Sequence, residues 1–198
     1  MTAYQDYLGR LPSGLDSHRD SLCKGSLIHM VLDDPDMKRR LWPHLPVELR
    51  FEPLPPVSAW VPEVQHLAMW SVMRDTLFSS DEEIAACSRE LNARLFAKPL
   101  YRALMWVASP DLLLRGAAQR WGQFHRGSAV EVVDRKKSAE GESVEVRLSY
   151  PTNLFAPIHC LLFAGAVEAA LYAAGARDPR HEIASSTPKQ TMLRLRWR

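Results

Sequence analysis

The chain has 198 residues, of which 46% are hydrophobic and 24% charged, and a formal net charge of +2. This length and balance fit one globular domain with a substantial core, and six Trp and six Phe exceed what a disordered chain carries. A net charge so close to zero leaves nucleic acid no electrostatic footprint, and the reading excludes it as the main partner.

Residues 1–18 hold Tyr4, Tyr7, Leu8 and Leu11 ahead of Pro12 and Gly14, the pattern of an N-terminal arm that docks through its aromatics. Residues 22–32 predict a short apolar helix and residues 35–45 a second, punctuated by Pro43 and bounded by Pro46. Pro53, Pro55 and Pro56 force residues 51–56 to be extended, because proline disfavours helix at the residue before it. Pro62 suits the first turn of a helix that runs to about Leu77. Ser80-Asp81-Glu82-Glu83 reads as a capping box, with Ile84, Cys87, Leu91 and Leu95 following at helical spacing. After an apolar stretch over 100–107, Ser109-Pro110-Asp111 opens another helix with a hydroxyl, a first-turn proline and an acid. Leu114, Ala117, Ala118, Trp121 and Phe124 form its apolar stripe, and it is expected to end near Gly127.

The period then drops from helical to two. Val130 and Val132, then Val144, Val146 and Leu148, alternate with polar positions on either side of a charged hairpin at 135–141. Residues 158–174 predict a helix ended by Gly175, followed by strands at 181–186 and 192–198. In the last strand Leu193, Leu195 and Trp197 face one way and Arg194, Arg196 and Arg198 the other. A cationic last strand suggests a guarded sheet edge. The fold class is therefore α+β: an N-terminal helical layer packed on a four-stranded antiparallel sheet, with a β-β-α-β-β C-terminal half. The expectation is a single domain over 1–198, with the arm at 1–18, a mainly helical part at 19–127, and the sheet plus one helix at 128–198. The short link after Phe124 predicts that the stripe packs on Val130, Val132, Val144 and Val146.

Cys23, Cys87 and Cys160 are odd in number and far apart, so neither a disulfide framework nor a paired-cysteine metal site is expected. Three reduced thiols point to a cytoplasmic protein, with Cys87 and Cys160 buried among their apolar helical neighbours. The first 20 residues lack the basic-then-apolar order of a signal peptide. Residues 158–176 are about long enough for a hydrocarbon core of ~30 Å, but His159 and Glu168 argue against membrane insertion.

Several runs together carry a family likeness. They are Lys24-Gly25-Ser26, Pro56-Val57-Ser58-Ala59-Trp60-Val61-Pro62-Glu63, Leu104-Met105-Trp106-Val107-Ala108-Ser109-Pro110, Trp121-Gly122-Gln123-Phe124-His125-Arg126-Gly127, and the helix end from Ala164 to Arg177. With them the chain, over residues 20–198, resembles an uncharacterised myxobacterial family of unknown function. That family is similar in element order to 4-vinyl-reductase-like and haem nitric-oxide-binding sensor domains. The resemblance implies a helical cap over an antiparallel sheet, which in those relatives encloses an apolar ligand, and it brings no catalytic residues.

Haem-binding relatives use a helical histidine and a Tyr-x-Ser-x-Arg motif. Residues 99–107 hold no histidine and residues 150–153 no such motif, so no haem, and no cofactor of any kind, is expected. Cys160 beside His159 makes a poor metal pair, since neighbours on a helix point about 100° apart. Pairing Cys160 with His125 or His181 as an activated nucleophile has no flanking support, and neither a phosphate loop nor Gly-x-Ser-x-Gly is present. Arg115, Arg120 and Arg126 could bind an anion, though local pairing is the simpler reading. Glu168, alone in an Ala-rich helix, requires a partner such as an arginine, or else anchors a pocket. The expected function is a non-catalytic regulatory or sensory module. Its pocket for an apolar small molecule would be lined by Trp106, Trp121, Phe124, Cys160, Phe163 and Glu168. The alternative is a homodimeric or partner-binding scaffold in which Trp42, Trp60, Trp70 and Trp106 form a contact surface.

Overall fold

The computed structural model describes residues 1–99, 101–102, 109–138 and 141–198. It begins with a helix, α1 (Ala3–Arg10), where the sequence suggested only an arm. Thr2 caps α1 by accepting from the Gln5 amide at 3.2 Å. The Asp75 carboxylate accepts from the Ala3 and Tyr4 amides at 2.7 and 2.9 Å, an acid placed on the positive helix end. Tyr7 is fully buried, and its hydroxyl donates to the Leu154 carbonyl at 2.9 Å.

The helical layer continues with α2 (Gly25–Leu32), α3 (Pro35–Leu41), α4 (Glu63–Leu77) and α5 (Asp81–Ala97). Residues 22–32 are not one helix. Leu22–Lys24 form a strand, β1, between β2 (Trp60–Pro62) and β3 (His125–Arg126), in a three-stranded antiparallel sheet of order β2-β1-β3. These three-residue and two-residue strands are too short to print an alternation on the sequence. Ser80 caps α5 as expected, but Glu83 accepts from the Ser79 amide at 2.7 Å, one residue earlier than a capping box places it. Cys87, expected to be buried, is only half-buried on α5, and burial followed by the Glu90 charge pushes its thiol up to about 11.

The stretch after Ser109 breaks at Gly116 into α6 (Pro110–Arg115) and α7 (Ala117–Phe124). Then come β4 (Ala129–Ser138), β5 (Gly141–Ser149), α8 (Pro157–Ala173), β6 (Arg180–Thr187) and β7 (Gln190–Trp197). The β-β-α-β-β half is thus as expected, in a four-stranded antiparallel sheet of order β4-β5-β7-β6. β7 is interior, which corrects the reading of its arginines as an edge guard. Arg194 instead donates across the sheet to Glu145 of β5 at 2.9 Å and Glu182 of β6 at 3.4 Å. Opposite charges on neighbouring strands are what that face carries.

The other face of the sheet buries Val144, Val146, Leu148, Leu193, Leu195 and Trp197. α8 lies against it, with mean character so apolar that it is buried nearly all round. α5 covers α8 from the far side, where Gly165 lets the Ala85 carbonyl approach and Ser88 donates to the Leu162 carbonyl at 3.2 Å. Gly175, at φ +95°, takes the left-handed turn that ends α8. One continuous apolar core runs from Tyr7 to Trp197. No described helix is long and apolar enough to cross a membrane.

Candidate functional site

The residues proposed to line a pocket fall in three neighbourhoods. Trp121 and Phe124, half-buried on α7, lie over β4 because the short link through β3 folds the helix back. The Trp121 indole donates to Ser128 Oγ at 3.1 Å and meets the buried Phe163 ring edge-on at 5.3 Å. Cys160 is elsewhere: its sulfur lies 3.0 Å from Thr191 Oγ1 and 4.0 Å from the Tyr150 hydroxyl, and burial raises its pKa. Neither His125 nor His181 is its partner, since His125 is held by Glu63 and His181 by Glu168. Glu168 is the third. It accepts from His181 Nδ1 at 2.7 Å and Arg89 Nη1 at 3.1 Å. Burial pulls its pKa up, but His181 and then Arg89 outweigh that and hold it below the usual range. Trp106 lies outside the described residues.

The candidate anion-binding arginines are engaged locally. Arg115 pairs with Asp111 at 2.6 Å, Arg120 donates to the Leu112 carbonyl at 3.0 Å, and Arg126 stacks over Trp60 at 4.0 Å.

A polar cluster that sequence reasoning missed sits where the small sheet meets α4. Cys23 on β1 is the cross-strand partner of Val61 on β2 and of His125 on β3. Residues directly opposite in an antiparallel pair project to the same face, so Cys23 and His125 share one. Glu63 begins α4 as β2 ends, and His66 stands one turn later on the same side. Donor atoms of Cys23, Glu63 and His66 all lie within 4.8 Å of one another, and all three residues are buried. His125 Nδ1 donates to both Glu63 oxygens at 3.0 and 3.1 Å, and the Trp121 ring stacks on His125 at 3.7 Å.

His66 is the unfinished member. Its Nε2 accepts from the Trp70 indole, one turn along α4, at 3.0 Å. Its Nδ1 is buried and has no hydrogen-bond partner among the described residues. Burial, with smaller contributions from His125 and His159, lowers its pKa to about 3. Burial and the Glu63 charge push the Cys23 thiol well above its ordinary value. The available signal was Glu63-Val64-Gln65-His66 at the start of a helix, a carboxylate and imidazole at i, i+3. Cys23 could not be joined to it without knowing the strand pairing.

His159, the second buried imidazole, is complete. The Ala156 amide donates to Nδ1 at 3.1 Å, which leaves the proton on Nε2 to reach the Leu67 carbonyl and Ser71 Oγ, both at 3.0 Å. Tyr7 packs edge-on against it at 4.6 Å, so this histidine ties α1, α4 and α8 together.

No protein-family model and no curated protein matches the chain. Solved structures do. The chain is similar to an H-NOX protein from S. oneidensis in the Fe(II) ligation state, at 15% identity and TM-score 0.57, over 88% of this chain and 96% of that one. It is similar to an Fe(II) unliganded H-NOX protein from K. algicida at 10% identity and TM-score 0.56, with the same coverage. A Cs H-NOX gives 11% and 0.57, again over 88% and 96%. At such identities the likeness is one of fold, and it is the fold of the haem nitric-oxide-binding domains that the element order resembles.

The residues present do not fit a haem. The chain contains no Tyr-x-Ser-x-Arg motif and no histidine between 99 and 107. His159 spends both ring nitrogens in the core, and Tyr7 and Phe155 flank its ring where α1 meets α8. Among the described residues, two clefts of about 160 and about 120 Å³ open between α2, α3 and α5, away from the sheet. Pockets that enclose organic ligands measure ~300–1,000 Å³.

Proposed function

We propose that the chain is a non-catalytic sensory or regulatory module on an H-NOX-like scaffold, whose input is an apolar small molecule received beneath α7. One observation carries this reading: α7 presents Trp121 and Phe124 to the core, yet none of its residues is fully buried. A helix with an aromatic stripe and little burial is anchored by few apolar contacts, and elements of that kind open at low free-energy cost. Lifting α7 off β4 would expose Phe163 and the face of Trp121, an apolar lining of the sort small ligands use. The haem nitric-oxide-binding fold lends support by analogy, since fold alone does not fix function.

The test uses the full chain and 1-aminoanthracene, an uncharged apolar fluorophore. Saturable binding is expected, with at least a tenfold loss in Phe124→Glu, which places a charge beneath the helix (about 1.4 kcal/mol or more). Native mass spectrometry of the same preparation reports any retained ligand and the oligomeric state. If the fluorophore fails to bind and the chain is a dimer, the scaffold reading replaces this one.

A further inference from the structure

We propose that Cys23, Glu63 and His66 form a binding site for a single transition-metal ion of the zinc class. A thiolate, a carboxylate and an imidazole are the donor types that zinc takes, and three of them suffice for a tetrahedral ion that draws its fourth ligand from elsewhere. Here they come from two elements that the β1–β2 pairing locks together, so the arrangement is built by the backbone and not by mobile side chains. Bond lengths of ~2.3 Å to sulfur and ~2.0–2.2 Å to nitrogen and oxygen put neighbouring ligands about 3.3–3.7 Å apart. The trio, all within 4.8 Å, therefore needs to close by no more than about 1 Å.

Two further observations point the same way. His66 Nδ1 is a buried polar atom without a partner, on the nitrogen opposite the one that Trp70 holds. A group left so costs free energy unless something completes it. His125 in turn donates to Glu63, which is how ligating carboxylates are ordinarily oriented from behind.

Loading moves two protons. The Cys23 S–H bond breaks as the metal–sulfur bond forms, and that proton leaves to solvent. The Nδ1 proton of His66 must also leave that nitrogen, and it is accommodated on Nε2 by tautomer exchange. There it meets the Trp70 indole N–H, a donor where a ligating histidine normally finds an acceptor. Trp70 therefore opposes loading, and removing its N–H should tighten it.

The full chain, stripped with a chelator, is titrated with Co²⁺ as the spectroscopic stand-in for zinc. One ion per chain is expected, with a thiolate-to-cobalt charge-transfer band that Zn²⁺ abolishes by displacement. Cys23→Ser should lose the band, whereas Cys87→Ser/Cys160→Ala, which leaves the cluster untouched, should keep it. Trp70→Phe should bind several-fold more tightly. Absence of the band in the parent, its survival in Cys23→Ser, or its loss in the double variant would each overturn the site. Weaker binding by Trp70→Phe would overturn the assignment of Nδ1.

Discussion

Glu168 shows how a carboxylate is kept charged inside an Ala-rich helix. His181 reaches it from β6 and Arg89 from α5, so one side chain links three elements. Its depressed pKa makes the linkage readable. The stabilisation is present above the unfolded carboxylate value and is lost as pH falls through the lower folded value. Glu168→Gln should therefore cost about 1–2 kcal/mol near neutral pH, less than for a fully enclosed pair because Arg89 is more than half exposed and can turn to water. Chemical denaturation of parent and variant at pH 7 and pH 3.5 checks this: the gap should shrink at the lower pH. An arginine partner was foreseeable from a lone acid on an apolar helix. The histidine was not, because β6 reaches α8 only through the sheet order.

At the scale of elements, Gly25 decides where β1 stops and α2 starts. The carbonyl oxygen of Pro56 occupies the space that a Cβ on Gly25 would need, while the Gly25 amide donates to the Ala59 carbonyl at 2.8 Å. The proline-rich segment is thereby clamped to the strand that carries Cys23. Gly25→Ala must displace backbone and should cost about 1–3 kcal/mol, the range for overpacking. Gly9, in the last turn of α1 with open space where a Cβ would lie, provides the contrast, and Gly9→Ala should stabilise by about 0.5 kcal/mol. Urea midpoints moving in the same direction for both variants would refute the close-approach argument. Neither Trp121 nor Trp60 is a fully buried core tryptophan: Trp121 is half-buried on α7, and Trp60 lies between Lys24 and Arg126 at 3.9 and 4.0 Å.

For the whole molecule, legibility followed the range of the interactions. The β-β-α-β-β half was plain in the sequence because its hairpins pair neighbours and its helix has a stop signal at Gly175. The small sheet was not, since residues 22–24, 60–62 and 125–126 pair across long separations and are too short for a period. The cluster built on that sheet was hidden with it. His66 of that cluster, with the separately buried His159, predicts how the whole chain responds to acid. His66 and His159 are both held near 3 by burial, whereas an unfolded histidine titrates near 6.5. Above that value neither state binds the protons and stability is flat. As pH falls below it, the unfolded chain takes up protons that the folded chain refuses, so stability drops by about 1.4 kcal/mol per unit for each histidine. At pH 5 the loss is about 2 kcal/mol apiece and about 4 together, a figure insensitive to the folded values because both lie far below 5. His159→Gln lowers stability at every pH by breaking the contacts to Ala156 and Leu67, but it also removes one titrating group. The fall in unfolding free energy between pH 7 and pH 5 should therefore be smaller than the parent's by about 2 kcal/mol, the contribution of one such histidine. Equal slopes in the two proteins would mean that His159 is protonated within the fold, which its bond from the Ala156 amide to Nδ1 does not permit.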